Sequence, residues 1–468
     1  MKGCVGIIGL GSMGASIALN LARNGYKVSV YNRTLEKAED FVKENPDKGF
    51  VLCRTLEDLA SSLPSPRVVM SVITAGAPTK AALSDLSSFL DPGDLVIDCA
   101  NSFYKDSMQL GSEMEKKGIL FADCGVSGGK MGALLGPSMM FGGSPEAWRL
   151  SEGIIKDICA KTPSGQACAE RLGPVGSGHF VKMVHNGIEY ALMGAIAEVY
   201  DIFRREGFSS DQCAQIFKRW DEGDLHGYLT EITAKVLEHR DKKTGKGFVE
   251  IVSDKAHMNG TGTWTVLSAL ELGCSVPSIG EAVFERIFSS ESSLRSAFRR
   301  DSKGPGVSID SSEAMQALYL SFASIFSQGF DLLLLASKKY EWGLDPAKIA
   351  QIWEAGCIIR SSFLPKIRSA FKKNPDLPSL MADPEFKSME EKNGQSMRRV
   401  VAKGVLGEIP LPVLDSSLSY LDDLSHPLPS NLIGAQRDYF GAHGYERTDE
   451  EGFFHTEWDE GGQEVKRQ

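Results

Sequence analysis

Gly9-Leu10-Gly11-Ser12-Met13-Gly14 follows the β-branched run 4–8 ("CVGII") and leads straight into a segment of helical periodicity. Glycines at these positions permit a tight turn and let an anionic group approach the backbone amides of a helix N-terminus. In this strand-to-helix setting the motif predicts the first crossover of a dinucleotide-binding sheet. The alternation continues through "KVSVY" (27–31), "RVVMSVI" (67–73), "DLVIDC" (94–99) and "ILFADC" (119–124), with helical segments between them. The expected fold is therefore an α/β, Rossmann-type, doubly wound parallel sheet. After "GPVGSG" (173–178) the strand pattern stops and helical periodicity fills most of the remainder. The organisation expected is a Rossmann domain over 1–175, a large all-α domain over 176–430 and, beyond the Pro-rich "SHPLPS" (425–430), a charged C-terminal tail over 431–468 that packs on a neighbouring subunit.

The end of the second strand selects the nucleotide. An NAD site offers Asp or Glu there for the ribose hydroxyl, whereas this chain has Asn32-Arg33-Thr34, with Lys37 one turn on. A guanidinium and a hydroxyl suit a 2′-phosphate, which makes NADP the expected cofactor.

Composition removes other classes of function. A net charge of −10 over 468 residues gives no field that would draw the chain to nucleic acid or anionic membranes, so an anionic ligand must be held by a local cluster of cations. Nine cysteines are scattered without a Cys-x-x-Cys pair or zinc spacing, so neither a metal site nor a disulfide framework is expected. With the first strand beginning by Cys4 and no run expected to approach the ~18 apolar residues of a membrane span, the expected location is cytoplasmic.

"GHFVKMVHNGIEYALMGAIAEVYDIF" (178–203) reads as a buried helix, yet Lys182, Asn186 and Glu189 fall at i, i+4 and i+7 on one face, along roughly 10 Å of helix axis. An internal repeat provides a control. "GFSSDQCAQIFKRW" (207–220) resembles "GLDPAKIAQIWEAG" (343–356) at an offset of 136 residues, which sets those three positions against Leu318, Phe322 and Ile325. One copy is polar where the other is apolar, so the polar stripe reads as a site and not as a solvated face.

Further blocks, Asp98-Cys99-Ala100-Asn101-Ser102, Gly125-Val126-Ser127-Gly128-Gly129, "GTGTWT" (260–265), "IGEAVFERIFSS" (279–290) and "AQRDYFGAHGYER" (435–447), complete a pattern. With them the chain resembles the decarboxylating 6-phosphogluconate dehydrogenase family from end to end. The resemblance implies a homodimer whose C-terminal tail enters the partner subunit. It also implies conversion of 6-phosphogluconate to ribulose 5-phosphate, carbon dioxide and NADPH. Lys182 would be the general base and Glu189 the general acid. Asn101, Ser127, Gly128, Gly129, His185 and Asn186 would line the sugar acid, while Tyr190, Thr261, Arg286 and Arg437 would hold the phosphate, with His443 beside the substrate. Cofactor contacts would come from Gly9 to Gly14, from Asn32, Arg33, Thr34 and Lys37, from the turn Ile73-Thr74-Ala75, and from Asn101.

The chain departs from the family pattern where ligands bind. Asn259 stands at a substrate-binding position in place of the lysine usual before Gly-Thr-Gly, Thr74 replaces a usual lysine, Cys99-Ala100 replaces Gly-Gly, and Lys130-Met131 replaces an acidic pair. Three readings compete on these residues: an active enzyme of this family, a dehydrogenase of a related phosphorylated hydroxy acid, and a catalytically weak paralogue that acts as a binding or regulatory partner.

Overall fold

Eight strands make one sheet in the order β3-β2-β1-β4-β5-β6-β7-β8. They are β1 (Cys4–Ile8), β2 (Lys27–Tyr31), β3 (Val51–Leu52), β4 (Val68–Ser71), β5 (Leu95–Asp98), β6 (Leu120–Ser127), β7 (Ser138–Gly143) and β8 (Ala169–Gly173). The computed structural model describes residues 2–298 and 306–467. Five strands are the apolar runs expected from sequence. β3 is only two residues long, and β7 and β8 are built from Ser, Met, Gly and charged residues, which carry no strand signal.

The sheet is not wholly parallel, as the sequence had suggested. β7 runs antiparallel to β6, pairing Ser127 with Ser138, and β8 then runs parallel to β7. The cause is the connection, residues 128–137, which is shorter than the dozen or so residues a parallel return requires. Strand order reverses between β1 and β4, the switch point where open α/β sheets bind nucleotides. Side chains alternate along β6: Ala122, Cys124 and Val126 enter the core shared with Ile17, Ala18 and Leu21 of helix Ser12–Arg23.

Beyond β8 the chain is helical up to the tail. A first long helix, Ser177–Arg205, is followed by Ser210–Asp221; a second, Ser311–Tyr340, is followed by Pro346–Trp353. The two copies of the repeat thus share one layout, and the two long helices pack on each other. The approach is close at Gly329, where a Cβ would lie 2.6 Å from Ile188 Cγ1. Leu318, Phe322 and Ile325 are all buried.

The second long helix corrects one expectation. By length and composition it is apolar enough to cross a membrane, but 83% of its most apolar window is buried inside the protein, which marks it as a core helix.

The chain packs as two compact units, Met1–Leu418 and Ser419–Gln468. The second contains helix Ser430–Gly441 and an antiparallel sheet of β9 (Tyr445–Glu446), β10 (Phe453–Glu457) and β11 (Gln463–Arg467), where the sequence suggested only a charged tail. Its centre is Asp438, fully buried, which accepts hydrogen bonds from the amides of Gly444 and Thr456 and from Trp458 Nε1, with His455 Nδ1 at 2.7 Å.

Candidate active site

The glycine motif fixes the turn after β1 through sterics. Gly9 has φ of 95°, and a Cβ there would lie 2.5 Å from the Val72 carbonyl oxygen; one on Gly14 would overlap the Gly9 carbonyl. At Gly11 the same test finds nothing within 4 Å, so this position opens onto free space at the start of helix Ser12–Arg23. That space belongs to a cavity of about 690 Å³, walled by Gly9, Gly11, Ser12, Met13, Gly14, Asn32, Arg33, Thr34, Lys37, Ile73, Thr74 and Asn101. Leu10 and Ala75 are not among its walls. The Leu10 amide is instead bonded to Asn32 Oδ1 at 3.0 Å, which ties the loop to the end of β2. Tyr31, Leu56, Val72 and Cys99 also line the cavity, and only their positions in space show it. A dinucleotide fits: the Gly11 position leaves room for a pyrophosphate against a helix N-terminus, and Arg33 and Lys37 supply positive charge at the ribose end.

Beside this cavity, β6 passes under the first long helix. A Cβ on Gly125 would lie 2.9 Å from Lys182 Cγ, so only glycine lets the helix sit this low. Lys182 is consequently buried, with 7% of its surface exposed. Its ammonium donates to Asn186 Oδ1 at 2.5 Å and lies 3.4 Å from His185 Nδ1. His185 Nε2 is 3.1 Å from Ser127 Oγ, and its Nδ1 is 3.7 Å from Glu189 Oε2. The second copy of the repeat closes the far wall: the Trp353 ring meets His185 edge to face at 5.5 Å, and the Ile358 amide donates to Ser127 Oγ at 3.4 Å. Gly128 (φ 132°) has the Gly356 carbonyl 2.5 Å from where a Cβ would stand, whereas Gly129 faces open space.

Burial perturbs all three titratable groups. It pushes the Lys182 ammonium below the ordinary lysine value, against the opposing pull of Glu189 and Cys357. It drives His185 well down, helped by the Lys182 charge, so the imidazole is neutral. It also raises Glu189, with Lys182 and Arg286 opposing. A weakly basic amine and a weakly acidic carboxyl on one helix face can accept and return protons near neutral pH.

Tyr190 lies one residue beyond, with the Arg286 guanidinium stacked 3.5 Å over its ring. A Cβ on Gly262 would lie 2.6 Å from Tyr190 Cε2, so helix Thr261–Leu272 places Thr261 next to this pair. Asn259 is exposed just ahead of that helix. Arg437 and His443 are exposed residues of the second unit, and every distance above lies within the first. Sequence reasoning missed Asp123, Trp353 and Ile358; an acid inside the apolar run "ILFADC" was the one visible signal.

Fold and site define a dinucleotide-dependent dehydrogenase with an all-helical substrate domain. Two family models match, the NAD binding domain of 6-phosphogluconate dehydrogenase over residues 4–170 and the 6-phosphogluconate dehydrogenase C-terminal domain over 178–458. The chain is 45% identical over 463 residues to the decarboxylating 6-phosphogluconate dehydrogenase of Lactococcus lactis subsp. lactis, covering 97% of this chain and 98% of that one. It is 42% identical, with the same coverage, to the NADP(+)-dependent decarboxylating enzyme of Bacillus subtilis. Plasmodium falciparum 6-phosphogluconate dehydrogenase superposes with a TM-score of 0.93 at 36% identity, covering 97% of this chain and all of that one. The chain belongs to the 6-phosphogluconate dehydrogenase family.

Proposed function

We propose that this protein is an NADP-dependent dehydrogenase that oxidises and decarboxylates 6-phosphogluconate to ribulose 5-phosphate, carbon dioxide and NADPH. The observation that carries the reading is the buried Lys182, bonded to Asn186 and flanked by His185 and Glu189 on one helix face beside the dinucleotide cavity.

NADP, when bound, accepts the hydride. This chain's own residues manage the protons. Lys182, its basicity lowered by burial, takes the proton of the C3 hydroxyl as hydride leaves. The resulting β-keto acid loses carbon dioxide while Lys182, now protonated, steadies the developing enolate oxygen. Glu189, kept partly neutral, then delivers a proton to carbon. Asn101, Ser127, Gly128, Gly129, His185 and Asn186 line the sugar acid. Tyr190, Thr261 and Arg286 hold the phosphate, and in a homodimer Arg437 and His443 of the tail complete the neighbour's site. The exposed apolar residues Leu432, Ile433, Tyr439 and Phe440 on the tail helix support that docking. Nine free cysteines are in keeping with a reducing, cytoplasmic setting.

The test is NADPH formation and carbon dioxide release with 6-phosphogluconate beside gluconate and other phosphorylated sugar acids. Turnover with another acid alone would replace the substrate. Asn259 favours a second reading, a weak paralogue, which predicts binding of 6-phosphogluconate without turnover. For the shared site, inactive Lys182→Ala and Arg437→Ala protomers are mixed; activity returns in heterodimers if the tail serves the neighbour, and does not if it serves its own chain.

A further inference from the structure

The first long helix begins without a side-chain cap of its own. Its N-cap is Gly176, and the cap arrives from the sheet: Asp123 of β6 accepts from the Gly176 amide through Oδ1 and from the His179 amide through Oδ2, both at 2.6 Å. Asp123 is fully buried. A carboxylate at this depth persists because the amides and the positive end of the helix dipole compensate it. A Ser or Asp at the N-cap itself would serve stability equally well. A cap placed in the strand does something more, because it ties the helix to β6.

The tie has a register. Asp123, Gly125 and Ser127 share one face of β6, and they meet the helix in order: Asp123 at the amides of Gly176 and His179, Gly125 beneath Lys182, and Ser127 at His185 Nε2. Four residues of strand span ~13 Å. Nine residues of helix, from Gly176 to His185, span ~13.5 Å. Strand and helix therefore stay in step across all three contacts, with Lys182 in the middle one. His179 is braced as well, its Nδ1 being 2.7 Å from Ser107 Oγ.

We propose that Asp123 is a positioning residue for the reaction, fixing the start of the helix on β6 and so the height and rotation at which the Lys182 amine meets substrate. The inference rests on the reading of Lys182 as the proton acceptor.

Asp123→Asn tests it, since it keeps the volume but turns one acceptor into a donor facing an amide. The control is Asp94→Asn, which weakens another fully buried carboxylate of the same sheet, bonded to the amides of Arg67 and Asp91. Displacing the base by ~1 Å costs about a hundredfold in rate. Asp123→Asn is expected to lose kcat on that scale while its Kd for NADP stays at the wild-type value; Asp94→Asn loses thermal stability but keeps kcat. If Asp123→Asn does not fold, the smaller Asp123→Ser takes its place. An Asp123 variant with wild-type kcat, or one whose kcat falls no more than that of Asp94→Asn, overturns the proposal. A wild-type protein inert towards 6-phosphogluconate overturns the functional reading, and this one with it.

Discussion

Gly125→Ala is the smallest change that reaches the candidate base without touching any polar atom. Gly125 is absent from the positive-φ glycines, so its backbone admits alanine and the only obstacle is space. The added methyl would lie 2.9 Å from Lys182 Cγ and 3.1 Å from the Gly178 carbonyl oxygen. Carbon atoms rest at ~3.5–4.0 Å, so the helix must rise by about 0.6–1 Å. Overpacking of this kind costs roughly 1–3 kcal/mol of stability, which a large core tolerates. Misplacing a catalytic group by ~1 Å costs about a hundredfold in rate, close to 2.7 kcal/mol of barrier. The expected protein is folded, binds NADP normally and turns over about a hundred times more slowly. Steady-state NADPH formation, cofactor titration and thermal unfolding measure the three quantities separately. A folded Gly125→Ala protein with wild-type kcat would show that the height of the helix over β6 does not matter to the chemistry.

Arg33→Ala should lower the NADP/NAD ratio of kcat/KM by one to two orders of magnitude, as expected for loss of a charge-assisted bond of roughly 1.5–3 kcal/mol; an unchanged ratio removes Arg33 from cofactor selection. Lys182→Ala should abolish hydride transfer with NADP still bound. Glu189→Gln should slow turnover and, because Glu189 pulls the Lys182 pKa upward, move the acid limb of the kcat/KM profile to lower pH; an immobile limb means that Lys182 is not the group titrating. Asn259→Lys should lower the KM for 6-phosphogluconate about tenfold with little change in kcat, as for a contact made equally in ground and transition states; a raised KM argues for another substrate. In the second unit, burial would raise Asp438, but its hydrogen bonds prevail and hold it at about 2, below its ordinary value of 3.8. Its stabilisation is therefore complete above that ordinary value and lost as pH falls towards 2. Asp438→Asn should make the tail sensitive to proteolysis at neutral pH, and a tail as resistant as wild type would refute that role.

What could be read from the sequence follows from where the signal is local. β1, β2, β4, β5 and β6 declare themselves because buried parallel strands are runs of β-branched residues. β7 and β8 owe their pairing to a short connection and to neighbours far along the chain, which no window over Ser-Met-Met-Phe-Gly-Gly registers. In the same way, the i, i+4, i+7 spacing suffices to put Lys182, Asn186 and Glu189 on one face. The contacts of Asp123 with Gly176 and of Trp353 with His185 cross 53 and 168 residues respectively, and depend on how the sheet and the repeat fold together. The core helix Ser311–Tyr340 shows the converse hazard, since a fully buried helix and a membrane-spanning one share the same composition.

The helical repeat has a consequence for how the chain can be divided. The first copy carries Lys182, His185 and Glu189, and the second contributes the Trp353 ring against His185 and the Ile358 amide on Ser127. The duplicated frames have thus become complementary, one holding the charges and the other keeping them dry. A fragment ending after the first copy would retain the glycine turn and the polar face but lose the wall whose burial makes Lys182 a base at working pH. Ancestral symmetry of this kind can no longer be undone, because neither half is by itself an enzyme.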